Sequence, residues 1–306
     1  MFKFTEKQQE ALNKFDALAE QLGSANKAAA RIGIAASTVS QIKSGAYKAD
    51  PVKQLNKLIE YFENKQESEK NYSAKNYAKT SVSDEVYEII KNCQLMGGLA
   101  IACGDAGIGK TQAAKQYAQD HPNGCVLLTA NPCFRSPKSM LKMLGNALNV
   151  SANAADDLWI AITSKLTDGT VIIIDEAQHL SLRTIETLRS FSDHFDAKDQ
   201  TLGICFIGNQ ETVGRFGGKQ KADFAQIRNR TKQTRIYSTA NIKKEDIELL
   251  FPMLSGKEPE LEFLLRIAQS RQAVRGAVNL FSTAYNNDNI TYDGLVATAK
   301  YMNMEV

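Results

Sequence analysis

Several features that define other protein classes are missing from this sequence of 306 residues. No stretch approaches the ~20 consecutive apolar residues of a transmembrane helix. The first residues, MFKFTEKQQEALNKF, are amphipathic and charged, whereas a secretory signal needs an unbroken apolar region. The five cysteines include no C-x-x-C pair and are odd in number, so neither a zinc site nor a disulfide framework is indicated. We therefore expect a cytoplasmic protein with reduced cysteines.

A strong charge of either sign is also missing. The net charge of +3 is too small to indicate a nucleic-acid-binding protein by itself. The basic excess is N-terminal, since residues 1–80 contain 13 Lys or Arg and 9 Asp or Glu. The hydrophobic content of 43% and the charged content of 23% are those of an ordinary globular protein. A chain of this length suits one large domain or two unequal ones.

Residues 1–62 are predicted to form a small all-helical domain. Apolar residues recur at helical spacing after Thr5 and after Pro51. Between these segments, ANKAAARIGIAASTVSQIKSG contains two short helical stretches separated by Gly33, a pattern typical of a helix-turn-helix. The polar residues of the second stretch are predicted to contact DNA. These residues are Ser37, Thr38, Ser40, Gln41 and Lys43.

The alternative for this N-terminal segment is a small helical domain without a DNA role, because such domains share the same pattern. The second stretch carries a single positive charge, that of Lys43. One positive charge provides little attraction to the phosphate backbone. Tight, sequence-specific readout of DNA is therefore not expected.

The rest of the chain is predicted to contain a linker, an α/β core and a lid. The segment 63–81, ENKQESEKNYSAKNYAKTS, contains no Leu, Ile, Val or Met and is predicted to be a solvated linker. In residues 82–240, the apolar runs GGLAIACG, GCVLLTAN, TVIIIDEA and LGICFIGN alternate with helical stretches. Apolar strands separated by helices indicate a parallel sheet covered on both faces. Residues 241–306 are predicted to form a small helical lid.

The segment GDAGIGKT matches the phosphate-binding loop G-x-x-x-x-G-K-T, and it lies between a predicted strand and a predicted helix, as this motif requires. In such a loop, backbone N–H groups and the helix N-terminus contact phosphates, the lysine reaches the outer phosphates and the threonine holds Mg²⁺. ATP and Mg²⁺ are therefore the predicted cofactors. The predicted ATP-binding residues are the eight of this segment and the residue that follows it: Gly104, Asp105, Ala106, Gly107, Ile108, Gly109, Lys110, Thr111 and Gln112.

Two carboxylates follow the apolar run of VIIIDEAQHL, at the strand end where open parallel sheets bind ligands. Asp175 is predicted to support Mg²⁺ through water, and Glu176 is predicted to be the general base that activates the attacking water. Asn209 ends the strand CFIGN and is predicted to hold that water or to contact the γ-phosphate. The alternative for Asn209 is a simple turn residue.

Three arginines are candidates for stabilising charge during hydrolysis. Arg228 and Arg230, in DFAQIRNRTKQTRIY, are candidates for an arginine that reaches a neighbouring subunit's nucleotide, with Arg230 preferred. The alternative is a solvated basic surface or a DNA contact. Arg275 begins a predicted lid helix and is expected to sense the γ-phosphate of its own subunit, the alternative being an exposed helical arginine.

The phosphate loop, the Asp-Glu strand, the Asn-ended strand, the arginine cluster and the lid arginine resemble, in this order, an AAA+ ATPase. DEAQHL resembles the version found in transposition ATPases. With the N-terminal helix-turn-helix pattern and the polar linker, the whole chain resembles the MuB-like target-selection ATPases, a group related to TnsC and IstB. This resemblance implies an α/β AAA+ P-loop domain with a parallel sheet and a small helical lid, preceded by an all-α helix-turn-helix domain.

The resemblance also implies a function. Members of this group assemble with ATP as helical filaments on double-stranded DNA of largely any sequence, deliver that DNA to a DDE-type transposase and disassemble on hydrolysis. It implies a phage- or transposon-encoded protein of the bacterial cytosol. In related filaments the loop after the second strand faces DNA, so Arg135 and Lys138 of PCFRSPKSMLKML are predicted DNA contacts, the alternative being an ordinary basic loop.

Two other functions stay open at this level. One is a nucleotide-responsive transcriptional regulator whose N-terminal domain reads an operator. The other is an AAA+ helicase loader or replication initiator. The weakly charged second helix disfavours the regulator, and the DEAQHL stretch favours a transposition protein over the helicase loader.

Overall fold

The computed structural model describes residues 4–70, 77–212 and 230–304. The chain divides into two compact units, Met1–Ser73 and Ala74–Val306. The described part of the first unit is entirely helical. Its helices are α1 (Glu6–Gln21), α2 (Ala25–Ile32), α3 (Ala36–Ser44) and α4 (Val52–Lys70).

The first unit has its own apolar core, to which all four helices contribute. Helix α1 begins at a capping box, in which the Thr5 hydroxyl accepts the Gln8 N–H and the Gln8 side chain accepts the Thr5 N–H. Helix α2 ends at Gly33, which has a left-handed φ of +76° that favours glycine. The predicted helix, glycine turn and helix are therefore present, while DNA binding by this unit stays a prediction.

Helix α4 corrects the predicted linker boundary. The linker is predicted from residue 63, but α4 continues to Lys70. The segment consists mainly of Glu, Lys and Gln, whose high helix propensity maintains a helix without apolar residues to bury. The next described helix begins at Ser81.

The second unit contains a five-stranded parallel sheet with helices around it, which confirms the predicted α/β class. The strands are β1 (Gly98–Gly104), β2 (Cys125–Thr129), β3 (Thr170–Asp175), β4 (Leu202–Gly208) and β5 (Thr231–Tyr237). The described helices are α5 (Ser81–Met96), α6 (Lys110–Asp120), α7 (Pro137–Ala147), α8 (Ala155–Thr163), α9 (Leu182–Asp196), α10 (Lys244–Leu250), α11 (Glu258–Gln269), α12 (Ala273–Asn286) and α13 (Tyr292–Tyr301).

The strand order β2-β3-β4-β1-β5 determines where a ligand can bind. After β1 the chain crosses to β2 at one edge of the sheet, and β3 and β4 then fill the two positions between β2 and β1. Strand β5 lies on the other side of β1, at the opposite edge. In such sheets the ligand crevice lies at the carboxyl ends of the strands where the order reverses. Strand β3 is buried along its whole length, as expected for a strand covered on both faces.

Helices α10 to α13 lie within residues 241–306, the range predicted to be the helical lid. A buried carboxylate, that of Asp246 in α10, ties the lid to α5. It accepts hydrogen bonds from the Ser81 N–H (2.6 Å), the Ser81 hydroxyl (3.0 Å) and the Lys243 N–H (2.9 Å). One side chain therefore caps two helices at once. None of the described helices is long and apolar enough to cross a membrane.

Candidate nucleotide-binding site

The phosphate-binding loop connects β1 to α6 and rests on the end of β5. The Asp105 N–H donates to the Tyr237 carbonyl over 3.1 Å. Position 104 has no room for a side chain, because a Cβ there would lie 2.0 Å from the Tyr237 carbonyl oxygen. The Asp105 carboxylate accepts the Thr239 N–H at 2.9 Å. The loop is thus held in place by the strand at the sheet edge.

Lys110, the first residue of α6, is buried under the loop with 8% of its surface exposed. Its ammonium donates to the carbonyl oxygens of Gly104 (3.0 Å) and Asp105 (2.6 Å). Burial lowers the pKa of Lys110, and the nearby Asp175 carboxylate opposes that shift. A buried ammonium bonded mainly to neutral carbonyls is poorly compensated, so the position suits a negatively charged phosphate.

Thr111 and Asp175 meet between the loop and the end of β3. The Thr111 hydroxyl hydrogen-bonds to the Asp175 carboxylate, which is buried with 4% exposed. Burial raises the pKa of Asp175, while the bond from Thr111 lowers it. A hydroxyl and a carboxylate are hard oxygen donors of the kind that Mg²⁺ binds. The residues present therefore fit Mg²⁺ together with a polyphosphate.

Glu176 follows Asp175 in a left-handed conformation, with φ 57° and ψ 38°, which is uncommon outside glycine. The chain turns sharply here as it leaves β3. The side-chain amide of Gln178 donates to Glu176 Oε2, and Gln178 Oε1 accepts the Asn209 N–H at 3.3 Å. Gln178 is absent from the site residues predicted from the sequence, and its place two residues after the base in DEAQHL is the only signal for it.

Asn209 lies at the end of β4, as predicted. Its side-chain oxygen accepts the Glu211 N–H at 3.0 Å and so caps the helical turn that follows. This contact is the one expected if Asn209 is a simple turn residue, the alternative considered for it from the sequence. A contact between Asn209 and the γ-phosphate stays a prediction.

Arg275 lies beside the phosphate loop. Its N–H donates to the Gly107 carbonyl over 3.1 Å, and a Cβ added to Gly107 would lie 3.0 Å from the Arg275 Cβ. The start of α12 therefore packs against the loop, and its arginine side chain is exposed. The position agrees with the predicted sensing role, which stays a prediction.

Arg230 lies at the other end of the sheet. It precedes Thr231, which pairs with the start of β1, whereas Tyr237 pairs with Gly104 at the loop. Six residues of strand separate the two pairs, or about 20 Å. The Arg230 side chain therefore cannot reach the phosphate-binding loop of its own chain. Arg228 lies outside the described residues.

The Arg230 guanidinium is paired within its own chain. It forms ion pairs of 3.2 Å with Asp193 and with Asp196, near the end of α9. The arginine is half exposed, so these pairs contribute little free energy. These ion pairs orient the Arg230 side chain, but they are weak enough for Arg230 to exchange the two aspartates for another partner.

Arg135 and Lys138 are exposed in the segment after β2. This segment and the phosphate-binding loop both follow the carboxyl ends of parallel strands. The Thr184 hydroxyl donates to the Arg135 carbonyl, which anchors the segment to α9. Lys138 lies in the first turn of α7, where a positive charge opposes the helix dipole. Helix stability therefore does not explain a lysine at this position.

The predicted DNA-contacting residues of α3 differ in exposure. Ser37, Ser40 and Gln41 are exposed and Thr38 is partly buried. The Lys43 ammonium forms an ion pair with Asp16 and lies 5.5 Å from the centre of the Phe15 ring. This ion pair is exposed and contributes little free energy, so Lys43 can still exchange Asp16 for DNA, and its DNA contact stays a prediction.

Comparisons with known proteins agree with this fold. A family model described as an AAA domain matches residues 95–216. The ATP-dependent target DNA activator B of Escherichia phage Mu is 27% identical over 251 residues, covering 79% of this chain and 77% of that protein. The Mu-like prophage FluMu DNA transposition protein B of Haemophilus influenzae is 26% identical over 261 residues, covering 83% and 87%.

A solved structure, the ORC2 protein of Aeropyrum pernix in its ADP form, matches with a TM-score of 0.54 at 13% identity, covering 74% of this chain and 69% of that one. At this identity the match shows a shared fold. The parallel sheet, the phosphate loop with Lys110 and Thr111, and the carboxylates after β3 define an AAA+ ATPase. Within that class, the chain is similar, over about four fifths of its length, to these two phage-type transposition proteins.

Proposed function

We propose that this chain is an ATP-dependent DNA-binding protein of transposition. With ATP it assembles as a helical filament on duplex DNA of largely any sequence, and it presents that DNA to a DDE-type transposase. Hydrolysis then disassembles the filament. The observation that carries the proposal is the similarity, over about four fifths of the chain, to proteins named as a target DNA activator and a transposition protein.

The chain's own residues divide the work of ATP hydrolysis. The Lys110 ammonium leaves the loop carbonyls to hold the outer phosphates, and the α6 N-terminus faces the same charge. Thr111 directly and Asp175 through water would hold Mg²⁺, which would supply positive charge to offset the negative charge of the phosphates. Glu176 accepts a proton from the attacking water.

Two arginines connect the nucleotide to assembly. Arg275 packs beside Gly107 of the loop, so that the lid follows the nucleotide state of its own subunit. Arg230 lies about 20 Å from its own loop, six strand residues away, so any nucleotide that it contacts belongs to a neighbour. To do so it exchanges Asp193 and Asp196 for a phosphate. Each site is then complete only in an assembly.

The low positive charge of α3 favours this proposal over the operator-binding alternative. The one positive charge of α3, on Lys43, is paired with Asp16. The exposed groups of α3 that are left to contact DNA are short or uncharged, and they provide weak attraction to phosphates. Binding of duplex DNA by an assembled array, in which each subunit contributes a few backbone contacts, fits this distribution better.

Electron microscopy with random-sequence duplex DNA tests the proposal, in parallel samples with ATP, with ADP and without nucleotide. We expect filaments only with ATP, and their loss as ATP is consumed. Discrete complexes at one sequence, unaffected by nucleotide, would contradict the proposal. An added transposase of the same element should act preferentially on the filament-bound DNA.

Replacing Arg135 and Lys138 together by alanine is expected to weaken DNA binding for all sequences alike, because these residues contact the backbone. The slope of log affinity against log salt should fall in magnitude by about two, one unit for each lost phosphate contact. Fluorescence anisotropy over a salt series measures this slope.

The matched control for this pair is Lys165→Ala with Lys198→Ala. Both lysines are exposed and precede β3 and β4, at the opposite edge of the sheet. The control removes the same net charge, so its salt slope should stay at the parental value. An unchanged slope in the Arg135 and Lys138 variant would remove that surface from the proposal.

A further inference from the structure

The side chain of Gln178 joins the end of β3 to the end of β4. Its amide nitrogen donates to the Glu176 carboxylate, and its amide oxygen accepts the Asn209 N–H at 3.3 Å. The side chain is buried, with 8% of the residue exposed. The orientation of the amide follows from its neighbours, since a carboxylate accepts only and a backbone N–H donates only.

The sequence of β4 leaves room for this bridge. A Cβ at Gly208 would lie 2.5 Å from Gln178 Oε1 and 2.2 Å from Thr212 Oγ1. Any larger residue at position 208 would therefore displace the amide. The close approach of the Gln178 side chain to the β4 backbone thus depends on a glycine one residue before Asn209.

We propose that Gln178 is a positioning residue for ATP hydrolysis, which ties the Glu176 carboxylate to the end of β4. Glu176 lies just beyond β3, in a left-handed turn, and a carboxylate on two rotatable bonds beyond Cβ needs an anchor to stay aligned. The Gln178 amide donates to Oε2 of Glu176 and leaves Oε1 of Glu176 for the attacking water. The inference rests on Glu176 as the base of the proposed mechanism.

The bridge also connects the base to the predicted γ-phosphate contact. Asn209 is the residue predicted to contact the γ-phosphate, and its N–H donates to the Gln178 side chain. A shift of Asn209 would therefore move the Gln178 amide and, through it, the Glu176 carboxylate. The position of the base then depends on the nucleotide state sensed at β4. The alternative role for Gln178 is structural, namely to satisfy the buried N–H of Asn209.

Two substitutions separate the two roles. Gln178→Glu keeps an oxygen acceptor for the Asn209 N–H but replaces the donor to Glu176 by a second carboxylate. Gln178→Met has a similar length and removes both bonds. Both variants are expected to lower kcat about tenfold or more through loss of alignment, with the KM for ATP changed less than about twofold, since Lys110 and Thr111 are untouched.

The control is Gln116→Met, because the Gln116 amide also donates to a carboxylate, that of Asp120 at 2.9 Å, but on the surface of α6. It should keep the parental kcat. Parental kcat in Gln178→Glu with a loss only in Gln178→Met would overturn the proposal in favour of the structural role. Parental kcat in both, or a change in KM alone, would overturn it as well.

A second measurement covers the case in which one variant folds poorly. In a Glu176→Gln background, adding Gln178→Met should leave the residual single-turnover rate unchanged, because the second residue acts through the first. An additional fall of the same size as in the parental background would overturn the proposal. These assays measure ATP hydrolysis and need no transposase, so failure of the proposed transposition function would show separately, in the microscopy.

Discussion

Glu176→Gln is expected to retain ATP binding and to lose turnover. The amide keeps the size of the side chain and an oxygen for Gln178, but it cannot accept a proton from water. General-base catalysis contributes typically 10²–10⁴-fold, so kcat should fall at least about 100-fold. Phosphate release measures the rate, and calorimetry measures ATP affinity, which should change little because Lys110, Thr111 and Asp175 are intact.

On the proposed function, the same variant should form filaments with ATP that persist. The matched control is Glu262→Gln, an exposed glutamate of α11 away from the loop, which should hydrolyse ATP at the parental rate. Turnover at the parental rate in Glu176→Gln would show that another group is the base. Filaments that dissolve in spite of blocked hydrolysis would separate disassembly from ATP cleavage.

Gly104→Ala is expected to disrupt the phosphate-binding loop. The new Cβ would lie 2.0 Å from the Tyr237 carbonyl oxygen and 2.7 Å from its carbon. These are backbone atoms of a strand paired with β1, so they cannot move without breaking the ladder. Overpacking of this kind costs about 1–3 kcal/mol, and the displaced loop should lose ATP affinity by about 100-fold or more.

Thermal unfolding with and without ATP measures both effects, since a ligand that binds only the folded state raises Tm. Gly169→Ala is the matched control, because Gly169 also has a positive φ, of +76°, but nothing lies within 4 Å of its Cβ position. It should lose about 1–2 kcal/mol of stability through backbone strain and keep its response to ATP. A parental ATP-dependent shift of Tm in Gly104→Ala would contradict the packing described here.

Much of the site follows from the sequence because its motifs are local. The segment GDAGIGKT predicts a phosphate-binding loop, and the run VIII followed by two carboxylates predicts the end of a buried strand. Both predictions depend on residues that are close together in the chain. The same reasoning misplaces the linker boundary. Residues 63–70 lack apolar side chains, which indicates a linker, but their helix propensity carries α4 to Lys70.

The partners of individual polar groups depend on residues far apart in the chain. Lys43 has the sequence context of a DNA-contacting residue, yet it pairs with Asp16 from another helix. Arg230 has the context of an arginine that reaches a neighbour, and its pairs with Asp193 and Asp196 have no local signal. Long-range pairs of this kind arise from how elements pack, which the spacing of residues along one element does not encode.

The sequence by itself determined a phosphate-binding loop pattern between a strand and a helix, with an Asp-Glu pair at a strand end, in the order that an AAA+ ATPase has. Local hydrogen bonding and hydrophobic periodicity suffice for these features. Only the tertiary structure decided that Gln178 bridges Glu176 to Asn209, that Tyr237 supports Gly104, and that Arg230 lies far from its own phosphate-binding loop. Each of these depends on strand order, because a parallel sheet brings together strand ends that are distant in the chain.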